Sequence, residues 1–327
     1  MSNVGRHLVS VIVATFNRVD TLPRTLEALQ AMQGVDFDQE WIVVDNNSSD
    51  ETAQFVAEYA AREPRLRYLF EPRQGKSFAL NTGIVAAHGD ILAFTDDDVL
   101  PAQDWLVRMV EVYNQLGARA AVVGGRVLVE QEVRVPKWLH RDLVTFLGLM
   151  DKGNEMVVVE PPQGLIGANM SARKDVLDRV QGFRTDLGPR GRSPSAAYAE
   201  DYDLCYKVAA LKECGDVLYA PQLLAYHTMV PDKMTRRFFR QRALGEGKAQ
   251  SRLYPPANLR ELLLGTVQSL YYLLRLPLTW LLFSRVPDER FLREFKFFRE
   301  WSALAERWRI VFKRIMRRRA AASSDQG

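Results

Sequence analysis

The stretch Ile91-Leu92-Ala93-Phe94-Thr95-Asp96-Asp97-Asp98 places an apolar run almost directly before three adjacent carboxylates. A run of this kind predicts a buried strand, so we expect the acidic triplet where that strand leaves the sheet. In open α/β sheets, ligands bind at the carboxyl ends of strands. Because neighbouring carboxylates repel one another, we interpret the triplet as a site for Mg2+ or Mn2+ that holds a phosphate-bearing substrate.

Short β-rich runs alternate with helical stretches from residue 8 to about 130, which predicts an α/β fold with a mostly parallel sheet flanked by helices. The candidate strands are Val9–Ala14, Glu40–Val44, Leu66–Phe70, Ile91–Phe94 and Ala121–Val129. Pro23 marks the first turn of one helix, and Ser48-Ser49-Asp50-Glu51 contains a capping box for the next. Residues 131–165 predict an insert that leads into a mixed part of the sheet, and Phe183–Tyr198 predicts a long loop.

The composition of the 327 residues, with 47% hydrophobic and 26% charged side chains, excludes wholesale disorder. The net charge of +4 is uneven, because residues 285–327 hold twelve Lys or Arg and six Asp or Glu, which leaves 1–284 at −2. A basic C-terminal region suits nucleic acid, an anionic membrane or an acidic partner, and composition does not choose among them.

Two features bear on the cellular compartment. Cys205 and Cys214 show neither zinc-site spacing nor a disulfide framework, which fits a reducing environment. The apolar stretch Leu8 to Phe16 is rich in β-branched residues and has no small-residue cleavage site, so we interpret it as a first strand rather than a signal peptide. We therefore expect a cytoplasmic protein.

Residues 262–283 reach the length of a membrane span, but Arg275 and Pro277 interrupt them. We interpret this segment, continued by 289–319, as an amphipathic or monotopic helix pair. Its Phe, Trp and Leu side chains face acyl chains, and its Arg and Lys side chains meet lipid phosphates, so 262–319 is a candidate contact with an anionic membrane surface. The alternative is a helical cap on the protein core with a solvated basic face.

Six motifs and a histidine follow one another in a recognisable order. They are Val9-Ser10-Val11-Ile12-Val13-Ala14-Thr15-Phe16-Asn17-Arg18, Val43-Val44-Asp45-Asn46-Asn47-Ser48-Ser49-Asp50, Gly75-Lys76-Ser77-Phe78-Ala79-Leu80-Asn81-Thr82-Gly83, Phe94-Thr95-Asp96-Asp97-Asp98, Gly167-Ala168-Asn169-Met170, Glu200-Asp201-Tyr202-Asp203-Leu204 and His227. Each is weak alone, but together they resemble the family 2 glycosyltransferases, inverting enzymes of the GT-A fold that use nucleotide-sugar donors. The resemblance runs from Val9 to about Lys248.

This resemblance implies a GT-A-type mixed, mostly parallel sheet with a C-terminal helical extension. We expect a GT-A domain over 1–250, with a nucleotide-binding half at 1–130 and an acceptor and catalytic half at 131–250. The remainder, 251–327, is then the basic helical extension.

The resemblance also implies a nucleotide site. Thr15, Asn17 and Arg18 would border the nucleotide, Asp45 would hydrogen-bond the base, and Lys76 would face the donor. A carboxylate at a strand end can accept an imide N–H from uracil or thymine, or a ring N–H from guanine. Without the resemblance, Asp45 reads equally well as a capping residue, and most such lysines are merely solvated.

Period-two alternation places Asp96 and Asp98 on one side of a continuing strand and Asp97 on the other. By resemblance, the first carboxylate of the pattern reaches the ribose or the metal and the last binds the metal, so Asp96 and Asp98 are candidate ligands. A shift of one residue onto Asp97 stays open. His227 is a further candidate ligand, and imidazole beside carboxylate favours Mn2+, although a lone histidine is more often packed or hydrogen-bonded.

Glu200 and Asp201 are the candidate catalytic residues. In a metal-dependent inverting transfer, one carboxylate takes the proton of the acceptor hydroxyl while the cation stabilises the departing nucleoside diphosphate. The resemblance places the base at Asp201, with Glu200 as a neighbour that positions the acceptor. The alternative is that both are helix N-terminal acids favoured by the helix dipole.

The predicted function is metal-dependent inverting transfer of a sugar from a nucleoside-diphosphate sugar to a hydroxyl of a glycan or lipid-linked acceptor, in polysaccharide or glycolipid assembly. We expect it at the inner face of the plasma membrane and expect no nucleic-acid partner. The Q-x-x-R-W signature of processive relatives is absent after His227, which predicts one sugar per encounter. The alternatives are a metal-dependent nucleotidyltransferase, although no P-loop supports it, and a non-catalytic GT-A-like subunit that binds nucleotide sugar or glycan in a membrane complex.

Overall fold

The computed structural model of the chain describes residues 7–131, 135–191, 193, 195–229, 231–282 and 286–324. The chain forms two compact units that are interleaved in sequence. The first unit comprises Met1–Val133, Leu147–Gly191 and Glu200–Met229. The second comprises Arg134–Phe146, Arg192–Ala199 and Val230–Gly327.

The described residues of the first unit form a nine-stranded sheet. Its strands are β1 Leu8–Thr15, β2 Asp38–Asp45, β3 Leu66–Phe70, β4 Ile91–Asp96, β5 Val99–Pro101, β6 Ala120–Val129, β7 Val157–Val158, β8 Asn169–Arg173 and β9 Asp216–His227. The strand order is β3-β2-β1-β4-β8-β6-β9-β5, with β7 paired to β9. The five strands predicted from sequence are β1, β2, β3, β4 and β6, each within two residues of its expected bounds.

The sheet is mixed, as expected. β3, β2, β1 and β4 run parallel to one another, which places their carboxyl ends at one edge. β8 then runs antiparallel to both β4 and β6, while β9 is parallel to β6 and antiparallel to β5. The parallel strands β1 to β4 come from the part of the sequence in which strand and helix patterns alternate regularly. The antiparallel pairings involve strands that follow it in the sequence.

Helices cover both faces of this sheet. They are α1 Leu22–Gln30, α2 Thr52–Ala60, α3 Lys76–Ala86, α4 Trp105–Leu116, α5 Lys174–Val180 and α6 Glu200–Ala210. Because successive strand residues point to opposite faces, Val11 of β1 joins the core that contains Trp105 of α4, and Ile12 joins the core that contains Leu80 of α3 and Leu204 of α6. The expectation of a sheet flanked by helices is confirmed.

The predicted helix starts are partly realised. Pro23 lies in the first turn of α1, as expected. The capping box before α2 does not form, because the cap residue Glu51 makes no side-chain cap bond. Asp50 instead accepts the backbone N–H of Thr52 at 3.1 Å. Ser48 Oγ accepts the backbone N–H of Asn17, just after β1, at 2.9 Å.

The described part of the second unit is largely helical, which confirms the expected C-terminal helical region. Its helices are α7 Arg236–Leu253, α8 Leu259–Leu282 and α9 Pro287–Ser324. Ser251 of α7 donates to the carbonyl of Ala303 of α9 at 3.1 Å, and Ser269 of α8 donates to Glu300 of α9 at 3.2 Å. Among the helices as described, none has the length and apolar character needed to cross a membrane. Residue 283 of the segment 262–283 lies outside the described residues.

Candidate active site

The carboxyl edge of the parallel strands gathers several of the residues singled out by sequence. In the strand register Thr15 of β1 pairs with Asp45 of β2, and Ala14 pairs with Asp96 of β4. Thr15 and Asp45 are both buried. Parallel pairing therefore places three predicted site residues side by side, at the edge where α/β folds bind ligands.

The loop after β1 is tied to the loop after β2 through Asn17. Asn17 has a backbone φ of 52°, a left-handed conformation that asparagine tolerates better than most residues. Its side-chain oxygen accepts the N–H of Ser49 at 2.7 Å, and its own N–H donates to Ser48 Oγ at 2.9 Å. These bonds give Asn17 a structural role at the expected nucleotide edge.

Asp45 is held by a bond at each carboxylate oxygen. The backbone N–H of Ser48 donates to Oδ1 at 2.9 Å, and the hydroxyl of Tyr68 on β3 donates to Oδ2 at 3.1 Å. Burial and the negative charge of Asp45 raise the pKa of Tyr68 to about 12, so the phenol stays a donor. Each carboxylate oxygen has a second lone pair, so Asp45 keeps the capacity to accept another N–H.

The acidic triplet does not continue as a strand. β4 ends at Asp96, and Asp97 and Asp98 form a turn before β5. The expected alternation through Asp98 is therefore not what the structure has. Arg18 lies beside both turn residues, with Nε 3.7 Å from Asp97 Oδ1 and Nη2 3.6 Å from Asp98 Oδ2, whereas Asp96 forms an ion pair with Lys76.

The turn concentrates negative charge in a buried place. Burial, and after it the charge of Asp98, raises the pKa of Asp97 to about 7, and Arg18 opposes this shift only in part. Burial by itself would lower the pKa of Arg18, but Asp97 and Asp98 give a net rise, so the guanidinium stays charged. A bound cation would reduce the repulsion between these two neighbouring carboxylates.

His227 reaches Asp98 through strand pairing. It ends β9 and lies opposite Val99 of β5, the residue after Asp98. The N–H of Thr228 donates to the carbonyl of Asp98 at 2.9 Å, and His227 Nε2 lies 3.6 Å from Asp98 Oδ1. His227 Nδ1 lies 3.0 Å from the carbonyl oxygen of Thr228, which can only accept a proton. That bond assigns the proton to Nδ1 and directs Nε2 towards Asp98.

The donor set fits a divalent cation at Asp98 and His227. A carboxylate beside an imidazole whose other nitrogen is held by a carbonyl is a common arrangement of metal ligands. Within the described ranges, however, no three His, Cys, Asp or Glu side chains are gathered as a preformed metal centre. Asp96 is paired with Lys76, so the structure brings together two of the three predicted ligands.

Lys76 stands between the two acidic motifs. It opens α3 after Gly75, whose φ of 145° favours glycine, and its N–H donates to the carbonyl of Pro189 at 3.0 Å. Burial would lower the pKa of Lys76, but Asp96 and Glu200 give a net rise, so the ammonium stays charged. The side chain is thus a fixed cation that faces carboxylates from distant parts of the chain.

Glu200 and Asp201 begin α6; Glu200 is buried and Asp201 is half-buried. Burial, and after it the charge of Asp201, raises the pKa of Glu200 to about 7. Asp201 accepts the N–H of Gly167 at Oδ2 and of Tyr202 at Oδ1, at 3.1 and 2.8 Å. Burial outweighs these bonds and the charge of Lys76, so the pKa of Asp201 is also raised. Carboxylates with raised pKa values are suited to proton transfer near neutral pH.

Sequence reasoning missed two residues, Tyr68 and Gly148, that lie against residues of the candidate site. Tyr68 follows no motif, and only the register of β3 against β2 brings it to Asp45. Gly148 has a φ of 80°, and a Cβ on it would lie 3.2 Å from His227 Nε2. Its sequence signal, a glycine in an irregular insert, does not point to a histidine so far along the chain.

The family comparison matches residues 10–181 to glycosyl transferase family 2, which is more than half of the chain. The match includes most of the first strand, Asp45, Lys76 and the acidic triplet, and it ends before Glu200, Asp201 and His227.

Two curated relatives illustrate the similarity. The glucosyl-dolichyl phosphate glucuronosyltransferase of Haloferax volcanii is 24% identical over 256 residues, which cover 76% of this chain and 79% of that protein. The GalNAc(5)-diNAcBac-PP-undecaprenol beta-1,3-glucosyltransferase of Campylobacter jejuni is 34% identical over 132 residues, or 39% of this chain and 41% of that protein. Other curated relatives match over only 32% to 39% of their own length.

Among solved structures, the chain is similar to the mannosyltransferase PcManGT from Pyrobaculum calidifontis in complex with GDP-Man and Mn2+. The TM-score is 0.57 at 21% sequence identity, and the match covers 99% of this chain and 76% of that one. At this identity the similarity concerns the fold.

Proposed function

The chain belongs to glycosyl transferase family 2 and is a glycosyltransferase with a GT-A fold. From that premise we propose that it transfers one sugar per encounter from a nucleoside-diphosphate sugar to an acceptor hydroxyl, with inversion at the anomeric carbon and with a divalent cation. The observation that carries the proposal is that Lys76 faces both Asp96 and the Glu200-Asp201 pair. Its ammonium group is thus shared between Asp96, at the end of β4, and the carboxylates of α6.

The donor nucleotide is proposed to lie along the edge formed by β1 and β2. Asp45 accepts an N–H of the base with the lone pairs that Ser48 and Tyr68 leave available. Thr15 and Asn17 border the nucleotide, and Arg18 lies next to the acidic turn, where it is placed to contact the diphosphate.

Asp98 and His227 are proposed to hold Mn2+ or Mg2+, with Asp96 or Asp97 as a further contact with the cation or the ribose. Bound there, the cation supplies charge stabilisation to the departing diphosphate. Mn2+ suits the mixed nitrogen and oxygen ligands better than a cation that prefers oxygen alone. The charge of Asp98 and burial together raise the pKa of Asp97, and a cation bound beside these carboxylates would offset their repulsion.

The proposed base is Asp201. It takes the proton of the acceptor hydroxyl as that oxygen bonds to the anomeric carbon and the bond from this carbon to the diphosphate breaks. Backbone N–H groups of Gly167 and Tyr202 orient its carboxylate. Glu200 positions the acceptor, and Lys76 limits the repulsion among the carboxylates around it.

The acceptor is proposed to be a glycan or a lipid-linked sugar, in polysaccharide or glycolipid assembly. The similarity to two enzymes whose names contain a lipid-linked substrate supports this class. The buried thiols of Cys205 and Cys214 fit a reducing compartment, and we place the protein in the cytoplasm at the inner face of the plasma membrane.

The test is release of nucleoside diphosphate from nucleotide sugars by the purified full chain with Mn2+. We expect slow hydrolysis of one donor and its loss in Asp98→Asn. Asp36→Asn, the same change at an exposed loop position, is the matched control and should keep the activity. Release of nucleoside monophosphate or pyrophosphate would indicate a nucleotidyltransferase. Donor binding without turnover, with or without added glycan acceptors, would indicate a non-catalytic subunit.

A further inference from the structure

Helices α8 and α9 of the second unit run antiparallel and are fixed to each other by polar contacts. Arg307 donates to the carbonyl of Gly265 at 3.1 Å, and Ser269 donates to Glu300 at 3.2 Å. Trp308 Nε1 donates to Thr266 Oγ1 at 3.1 Å. The pair therefore has a defined inner side.

The solvent side of α8 carries an apolar stripe. Its residues recur every three or four positions, which places them on one side of the helix. They are Leu259, Leu263, Val267, Leu270 and Leu274, with exposed fractions of 62%, 48%, 65%, 45% and 78%. The opposite side of the helix, with Leu262 and Ser269, is buried.

A second apolar stripe lies on α9. Trp301, Trp308 and Phe312 have exposed fractions of 57%, 45% and 63%, and their spacing places them on one side of the helix. Because Trp308 bonds to Thr266, this stripe adjoins the one on α8. We call the eight residues of the two stripes the apolar face. Most of the large apolar side chains that are exposed in the described part of the chain lie in α8 and α9, so the face is a local concentration.

The net charge of α9 favours one occupant. Over Pro287–Ser324 the helix carries eleven Lys or Arg and five Asp or Glu. Lys313 and Arg317 are exposed, with no carboxylate partner in the described ranges. The α9 acids Glu294 and Glu306 are engaged by arginines of α7 at 2.5 and 2.8 Å. The apolar face, with its two tryptophans, therefore belongs to a cationic helix.

We propose that the apolar face binds the surface of an anionic lipid bilayer, with α8 and α9 lying in the plane of the membrane. Leucine, valine and phenylalanine side chains enter the acyl boundary, the tryptophans lie at headgroup level, and the net positive charge of α9 attracts lipid phosphates. A second copy of the chain fits less well, because two-fold pairing of this face brings two cationic α9 helices into one interface. The inference concerns a surface of the second unit and stands independently of the transferase reaction.

Vesicle flotation of the full chain tests the proposal. We expect binding to vesicles of phosphatidylglycerol and phosphatidylcholine in equal parts, weaker binding to pure phosphatidylcholine, and weakening of the first by salt. The double variant Val267→Gln and Leu274→Gln should bind at least about tenfold more weakly, because two apolar side chains no longer enter the bilayer. Val85→Gln, at a residue of α3 that is 84% exposed, is the matched control and should bind normally.

Lys313→Gln with Arg317→Gln should reduce binding to the anionic vesicles and leave binding to phosphatidylcholine unchanged. Equal binding of the wild type and the Val267→Gln, Leu274→Gln variant would overturn the proposal. So would a wild-type dimer, measured by light scattering, that this variant converts to monomer. Release of nucleoside diphosphate from a soluble donor should be the same in all of these variants, so failure of the membrane proposal and failure of the transferase proposal are distinguishable.

Discussion

His227 Nε2 lies 3.6 Å from Asp98 Oδ1, although the two residues belong to distant parts of the sequence. The antiparallel pairing of β5 with β9 brings them together, and the bond from Thr228 to the carbonyl of Asp98 fixes the register. Because Nδ1 of the histidine is bonded to a carbonyl, the nitrogen that faces the carboxylate is the one that carries the lone pair.

Asp201→Asn should lower kcat by about two to four orders of magnitude, because the amide cannot take the acceptor proton. The KM for the donor should change little, since the base contacts the acceptor hydroxyl. Steady-state kinetics with a saturating acceptor measure both constants. A variant with normal kcat, or one whose loss lies only in the KM for the donor, would contradict the assignment.

The transferase activity should fall as the pH is lowered, and the fall should begin at a pH above the usual pKa range of carboxyl groups. A base works when deprotonated, and burial raises the pKa of Asp201, so activity is lost as the pH falls through that raised value. The charge of Lys76 opposes the rise, so Lys76→Met should move this limb of the kcat/KM profile to higher pH. Lys76→Arg keeps the charge and should leave the limb near its wild-type position. An unmoved limb in Lys76→Met would contradict the proposed electrostatics.

Gly148→Ala should weaken Mn2+ binding about tenfold or more, because the new Cβ would lie 3.1 Å from His227 Cδ2 and 3.2 Å from Nε2. Gly153→Ala is a matched control. It introduces the same kind of backbone strain at a φ of 96°, but its Cβ would have no neighbour within 4 Å. Both variants should lose about 1 kcal/mol of unfolding free energy or more, measured by urea denaturation. Equal Mn2+ affinity in the two variants would argue against a role for His227 in binding the cation.

Asp45→Asn should weaken donor binding about ten- to hundredfold, because the base loses a charged acceptor. Tyr68→Phe removes only the phenol donor at 3.1 Å and should have a smaller effect. Thermal-shift titration with nucleoside diphosphates gives both affinities. An Asp45→Asn protein that binds as tightly as the wild type would show that the carboxylate serves only the local turn with Ser48.

The alternation of β-rich and helical segments was sufficient to predict the first four strands and the edge where their carboxyl ends meet, because parallel sheets repeat a simple pattern. The same reasoning was wrong about the path of the chain beyond Asp96. Period-two alternation assumes a continuing strand, and the chain instead turns at Asp97 and Asp98. That turn directs Asp98 to His227 and leaves Asp96 to Lys76.

Contacts between distant segments of the chain could not be predicted from the sequence. Sequence reasoning included Lys76 as a residue facing the donor, but its ion pair with Asp96 depends on how α3 packs against the sheet. The bond of Tyr68 to Asp45 depends on strand register, and the approach of Gly148 to His227 depends on the path of an irregular insert. Local patterns carry none of this information.

Pulsed electron paramagnetic resonance of bound Mn2+ tests the metal site most directly, because modulation from nitrogen identifies a histidine ligand. With Mn2+ and a nucleoside diphosphate, the wild type should show nitrogen modulation that disappears in His227→Gln, and Asp98→Asn should bind Mn2+ about a hundredfold more weakly. A wild-type spectrum without nitrogen modulation, or one that His227→Gln leaves unchanged, would contradict a cation held between these two side chains.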